Sequence, residues 1–335
     1  MKKFLSLLVM SSLLLAACGG SDEPAGTEGE EPAGEQSEAA GLEDLFVTVA
    51  TGGTSGVYYP IGGAIANILE TELGVDSSVQ ATGASVENIN LLNTERAELA
   101  ITMADAVLQA YEGNGAFEGE EPIESLRGLM AMYPNFVQVV TTEDSGIESI
   151  ADLAGKSVGV GAANSGVELN ARMVLEAYGL SYDDIEEDYL SYSEAIDQIK
   201  NGMIDAAFVT SGVPNATVID LDTTHSAKIL PIEGEALDYL IETYPFFTSE
   251  VIPANVYGNE EEIQTAAITN LLLISNDLSE DVAYEITKTL FENLEAIQGS
   301  HNAAQDISLD TVDVGMPVPF HPGAERYLKE VGVLE

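Results

Sequence analysis

From Leu45 onward the chain repeats one unit, a strand, a glycine-rich turn and an amphipathic helix, and it does so with an internal echo. Phe46–Ala50 reads as a strand, and a helix from about Tyr58 follows with the stripe Ile61, Ala64, Ile65, Ile68, Leu69 and Leu73, a 3.6-residue period. Pro60 falls in its first turn, where a missing N–H costs nothing. The turn between them is Gly52-Gly53-Thr54-Ser55-Gly56-Val57. About 110 residues later a strand at Ser157–Gly161 leads through Gly161-Ala162-Ala163-Asn164-Ser165-Gly166-Val167 into a helix over Val167–Tyr178. Both turns close on Ser-Gly-Val. Further strands are predicted near Ser78–Thr82, Leu99–Thr102, Tyr189–Ser191, Ala206–Thr210 and Lys228–Leu230, and further helices from Ser85, over Glu235–Tyr244 and over about Asp281–Glu295. Two apolar stretches, Leu126–Met132 and Phe136–Thr141, flank Tyr133-Pro134-Asn135, and a third covers Ala266–Ile274. Repeated βα units imply an α/β fold, a largely parallel sheet with helices on both faces.

Two α/β domains that each offer such a junction are suited to hold a ligand between them, because open α/β sheets bind in the crevice beyond the carboxyl ends of their strands. Unpaired N–H groups and the positive end of the helix dipole favour an anion there. Glycines let the backbone approach closely, and Thr54, Ser55 and Ser165 add hydroxyls. One junction alone makes only a tight turn; the pair, with hydroxyls in matching slots, points to a clamp. Neither turn fits a phosphate loop or the dinucleotide fingerprint. Ser85 reads as a helix cap, and Tyr58 and Tyr59 either as half-core aromatics or as hydroxyls facing a cleft. Catalysis finds no motif. No Gly-x-Ser-x-Gly elbow occurs, and the histidines at 225, 301 and 321 lack ligand spacing. The single cysteine excludes an internal disulfide and a cysteine-cluster metal site, and no cofactor motif is present. Asp183-Asp184 and Glu186-Glu187-Asp188 read as a solvated face.

Eleven Lys+Arg against 57 Asp+Glu leave a formal charge of −46. That excludes nucleic acid as a partner, since phosphate-backbone affinity needs basic side chains. Lys2 and Lys3 precede an apolar run from Phe4 to Leu15, the layout of a signal peptide over 1–17. It ends in Leu15-Ala16-Ala17-Cys18-Gly19, which resembles a bacterial lipoprotein cleavage site, so Cys18 is expected to carry a lipid anchor and to place the protein outside the cytoplasm, at the membrane. Residues 18–44 then form an acidic linker without Lys, Arg or aromatic residues. Residues 45–335 hold nine basic and 48 acidic side chains, a net of −39, which predicts a saline or alkaline habitat in which self-repulsion is screened.

The body of the chain resembles the TAXI family of solute receptors, which serve TRAP-type secondary transporters. The carrying residues are Val49 to Pro60, Thr82-Gly83-Ala84-Ser85-Val86-Glu87-Asn88, Asp144-Ser145-Gly146-Ile147, Asp152-Leu153-Ala154-Gly155-Lys156, Ile204-Asp205-Ala206-Ala207-Phe208, and His321-Pro322-Gly323-Ala324 before Tyr327. The resemblance implies a two-domain type II periplasmic-binding-protein fold that closes over a small organic anion (dicarboxylate, keto acid or amino acid such as glutamate) and docks on a sodium-coupled TRAP membrane subunit. By analogy, domain I covers 45–136 plus 277–335 and domain II 137–276. The family's ligand contacts map onto Thr54, Ser55, Gly56, Tyr58, Ser85, Asn88 and Asn135, and then onto Asn164, Ser165, Gly166, Val167, Thr210, Ser211 and Gly212. Relatives commonly carry Tyr-Pro-Glu where this chain has Tyr133-Pro134-Asn135. An amide in place of a glutamate predicts a ligand without an α-ammonium, a dicarboxylate or keto acid. An ABC-type importer receptor and a non-transport surface lipoprotein are the alternatives.

Overall fold

The computed structural model describes residues 41–335; the expectations for the signal peptide and for Cys18 lie outside the described residues. Its elements run β1 (Phe46–Ala50), α1 (Tyr58–Ile68), β2 (Asp76–Gln80), α2 (Ser85–Asn93), β3 (Leu99–Met103), α3 (Ala104–Glu112) and β4 (Arg127–Thr142). They continue with β5 (Ser157–Gly159), α4 (Gly166–Ala177), β6 (Glu186–Asp188), α5 (Tyr192–Lys200), β7 (Ala206–Ser211), α6 (Ala216–His225) and β8 (Ala227–Leu230). The last are α7 (Gly234–Thr243), β9 (Phe247–Ile252), β10 (Ile263–Ile274), α8 (Glu280–Glu292), α9 (Leu294–Gln298) and α10 (Pro322–Glu330).

All ten strands belong to one sheet, in the order β2-β1-β3-β10-β4-β7-β5-β6, with β8 added to β4 and β9 to β10. The expectation of a largely parallel sheet is corrected. β1 pairs in parallel with β2 and β3, and β5 with β6 and β7, but β4 and β10 are antiparallel to every neighbour. These two long strands join the halves. Residues 127–134 of β4 pair with 269–274 of β10, whose far edge meets β3. Beyond them, Phe136–Val140 pairs with β7 and Ile263–Ile268 with β9. The result is a two-lobed α/β molecule in which two strands pass from one lobe to the other.

Period-two alternation assigns strand residues to opposite faces. In β3, Leu99 and Ile101 enter the core under α1 and α8, while Ala100 enters the core with α2 and α3; Met103, at the strand's end, departs from the alternation and joins that second core. In β7, Phe208 packs with Val158 and Val174, and Ala207 and Val209 pack with Ile196, Ile199 and Val218. Pro134, which stands between two apolar stretches in the sequence, lies inside β4. It sits opposite Thr269, where the register to β10 shifts, and an irregular pairing spares the hydrogen bond that proline cannot donate. β6 is also displaced from its expected place. It covers 186–188, while Tyr189–Ser191 leads into α5, where Ser191 and Glu194 form a capping box.

Candidate ligand-binding cleft

A cleft with about 80 Å³ of free space lies between the lobes at the carboxyl ends of β1 and β7. One lobe lines it with Gly52, Gly53, Ser55, Gly56, Val57, Tyr58, Thr82, Gly83, Ala84 and Met103, the other with Ala162, Val167, Leu190, Ser191, Tyr192, Thr210 and Ser211. Asn135, on the crossing strand β4, borders it as well. The volume is about half that of a cavity able to hold benzene, so as it stands the site suits a guest of few atoms.

The first junction is held from behind. Asn88 is fully buried on α2; its Nδ2 donates to the carbonyls of Thr51 (2.5 Å) and Ile101 (2.8 Å), and its Oδ1 accepts from Thr82 Oγ1 (2.6 Å). With every arm of its amide used, Asn88 is a brace for the turn rather than a ligand contact. Ser85 Oγ is likewise engaged, accepting from the N–H of Met103 (3.1 Å), and the residue that precedes α2 is Ala84, so the expected serine cap is corrected. Ala84 has φ +79 and ψ −144, a region that glycine alone occupies without strain, and it lies on the cleft wall. α1 opens on the cleft at Tyr58, and the N–H groups of its first turn have no partner one turn earlier in the helix. Thr54 is exposed and outside the cleft lining.

The second junction plays a different part from the first. Gly161 (φ +98) and Asn164 (φ +60) make its left-handed turn, which asparagine tolerates well. Ser165 caps α4, its Oγ accepting from the N–H of Glu168 (3.2 Å). Asn164, Ser165 and Gly166 therefore do not line the cleft; they make contact between the lobes. The Asn164 carbonyl accepts from the N–H of Glu87 (3.3 Å), and a Cβ on Gly166 would stand 2.2 Å from Met103 Cε and 2.9 Å from Ser85 Oγ. Asn170 Nδ2 also reaches across to Asp105 Oδ2 (2.7 Å). Gly212 packs against Ala303 and Tyr133, outside the cleft lining. Of the expected contacts, the structure brings Ser55, Gly56, Tyr58, Asn135, Val167, Thr210 and Ser211 together at one cleft.

A chain of side-chain amides and a phenol backs the cleft. Tyr58 Oη donates to Asn270 Oδ1 (2.5 Å), Asn270 Nδ2 donates to the Tyr133 carbonyl (2.8 Å), and Asn135 Nδ2 donates to Tyr58 Oη (3.3 Å). Burial, chiefly, pushes the Tyr58 phenol well above its usual range, so it stays protonated. Tyr192 stands opposite against Gly56 and donates to the Thr210 carbonyl (2.5 Å). Two buried polar atoms on the cleft residues have no partner in the protein, Asn135 Oδ1 and Thr210 Oγ1. No Lys, Arg or His lines the cleft. Arg172, for example, pairs with Glu168 (2.6 Å) and stacks on Tyr182. Sequence reasoning missed Leu190, Ser191 and Tyr192. The capping box at Ser191 and Glu194 was the available signal, since it marks a helix start and hence another loop at the sheet's ligand-binding edge.

Solved structures share this fold. A protein from Bordetella bronchiseptica RB50 aligns over 88% of this chain and 91% of its own at 17% identity, with a TM-score of 0.53. A periplasmic transporter aligns over 85% and 92% at 13% identity, with a TM-score of 0.52. PhnD1 of Prochlorococcus marinus, solved in complex with methylphosphonate, aligns over 77% and 90% at 12% identity, with a TM-score of 0.51. At these identities the likeness is one of fold. In sequence, residues 49–332 match the NMT1-like family across nearly all of the described body, and the chain belongs to that family.

Proposed function

We propose that the chain is the extracytoplasmic solute-binding component of a membrane importer, whose lobes close over one small organic anion and present it to a transporter. The observation that carries this reading is a pair of orphaned atoms, Asn135 Oδ1 and Thr210 Oγ1, on two residues of a cleft lined from both lobes. Buried polar groups without partners are costly in a folded protein, and a guest held between the lobes supplies what they lack. The start of α1 offers N–H groups to a carboxylate without any basic side chain. Methylphosphonate in the Prochlorococcus relative is a small anion in the same fold. The reading is one of binding, not turnover, and involves no cofactor.

In this reading the first lobe is residues 45–136 with a return that begins inside β10 at about residue 269, earlier than the expected 277, and the second lobe is the stretch between; a lipid on Cys18 tethers the body to the membrane. The proposed membrane partner is a sodium-coupled TRAP-type subunit, on the motif run from Val49 to Tyr327; an ATP-driven importer is the second reading. A thermal-shift screen of organic and amino acids in molar salt tests the binding. A ligand at a hundred times its Kd adds about 2.7 kcal/mol, or roughly 5 °C in a protein of this size. A panel without saturable stabilisation refutes the receptor. Uptake into vesicles with the membrane partner separates the transporter classes: a sodium gradient drives the first and ATP the second.

A further inference from the structure

We propose that Asn135 selects the chemistry of the guest: the cleft takes a small organic anion that carries a hydroxyl or ammonium hydrogen-bond donor, and discriminates against the keto acid of the same skeleton. This rests on the anion-receptor reading given above. The direction of the buried chain decides it, and a main-chain group fixes that direction. The carbonyl of Tyr133 can only accept, so the atom of Asn270 that lies 2.8 Å from it is the amide nitrogen. Asn270 Oδ1 then faces Tyr58 Oη at 2.5 Å, and Tyr58 must donate its one proton there. What approaches Tyr58 from Asn135 has to be a donor, which places Nδ2 on the phenol at 3.3 Å. Oδ1 is the arm left over.

Asn135 is 2% exposed, and that oxygen has no partner in the protein. Its amide cannot turn over without setting oxygen against an oxygen whose proton is spent. A guest that brings an O–H or N–H to this point satisfies the oxygen; a keto group brings a second acceptor and leaves both unpaired. Thr210 Oγ1, the other orphan, is a hydroxyl that donates or accepts and so imposes no such choice. The expectation drawn from an amide in place of a glutamate is a guest without an α-ammonium; on the present proposal an ammonium serves as well as a hydroxyl, and the keto acid is the disfavoured member. An asparagine at 135 would favour the keto acid only if its nitrogen faced the cleft, and Tyr58 holds that nitrogen.

Calorimetric titration of the whole protein with matched pairs tests this: lactate against pyruvate, 2-hydroxyglutarate against 2-oxoglutarate, and L-alanine and L-glutamate as ammonium arms. The expected result is tighter binding of the hydroxy or amino member by about ten- to a hundredfold. Equal or tighter binding of the keto acid overturns the inference and leaves the receptor reading standing. No binding by any acid overturns both. Tyr58→Phe removes the acceptor that holds Nδ2, frees the amide to turn, and narrows the ratio within the pairs; an unchanged ratio counts against the chain of bonds. Asn135→Leu removes the discrimination altogether, and its persistence overturns the assignment. Should the leucine variant fail to fold, the matched pairs and Tyr58→Phe carry the decision.

Discussion

Asp105 is fully buried in the first turn of α3, and burial pushes its carboxyl up to about 7, against the pull of the Ala106 N–H and of Asn170 Nδ2 across the lobe boundary. A carboxyl moved that far from its ordinary 3.8 makes the charged folded protein less stable than the neutral one by about 4 kcal/mol. Between those two pH values the unfolded chain has released the proton and the folded chain still holds it. The contribution of this carboxyl to stability is therefore greatest below 3.8, declines by about 1.4 kcal/mol per pH unit as pH rises, and levels off above 7. Asp105→Asn has no proton to lose, and its amide can donate to Asn170 Oδ1, which has no partner in the native protein. The variant is expected to match the parent near pH 4 and to exceed it by up to about 4 kcal/mol at pH 8, or roughly 8 °C in melting temperature. Urea unfolding of both proteins from pH 4 to 9 in 1 M salt, which screens the surface acids, measures the difference directly. A gap that does not widen between pH 5 and 8, or a variant less stable than the parent at pH 8, refutes the reasoning.

Gly166→Ala places a methyl group against Met103 and Ser85 of the opposite lobe, a clash that parting of the lobes would relieve. Ligand affinity is expected to fall by about tenfold or more, while the melting temperature without ligand stays within about 2 °C of the parent; unaltered affinity in a titration would contradict this. Ala84→Gly relieves the backbone strain at φ +79 and stabilises the protein by about 1 kcal/mol after the added freedom of the unfolded chain is counted. A lower melting temperature would show that the conformation carries no strain. With 48 acids against nine bases in residues 45–335, the melting temperature is expected to rise on the order of 5 °C or more between 0.1 and 2 M sodium chloride. A flat response would remove the argument for a saline habitat.

Local pattern made the first βα unit legible: β1 spans the expected residues, and α1 begins at Tyr58 with Pro60 in its first turn. Two long-range facts were not legible. The sequence around Pro134 reads as two segments because a proline normally ends a strand, and only the pairing with β10 shows that a bulge accommodates it. β9 carries Thr248, Ser249 and Glu250 on an edge, so it lacks the apolar run that marks a strand. At the cleft, Ser55, Tyr58, Asn135 and Thr210 followed from motif position. The hydroxyl of Ser165 was read as a ligand group, yet a serine just before a helix has a nearer use in its own first turn. The polarity of Asn135 depends on Tyr58, Tyr133 and Asn270 meeting in space, with Tyr58 and Asn270 separated by 212 positions, and no local pattern encodes it.

The two crossing strands bear on how this protein is inherited and re-engineered. Neither lobe owns a complete sheet, since β4 and β10 each complete the pairing of both. A fragment cut at the waist would leave two raw strand edges and lose the Asn135 and Asn270 positions that close the cleft from behind. Chimaeras that graft one lobe of a relative onto this chain have to transplant both crossing strands as a matched set. Recombination that separates them exchanges a surface together with its register, which makes the molecule indivisible despite its bilobed outline.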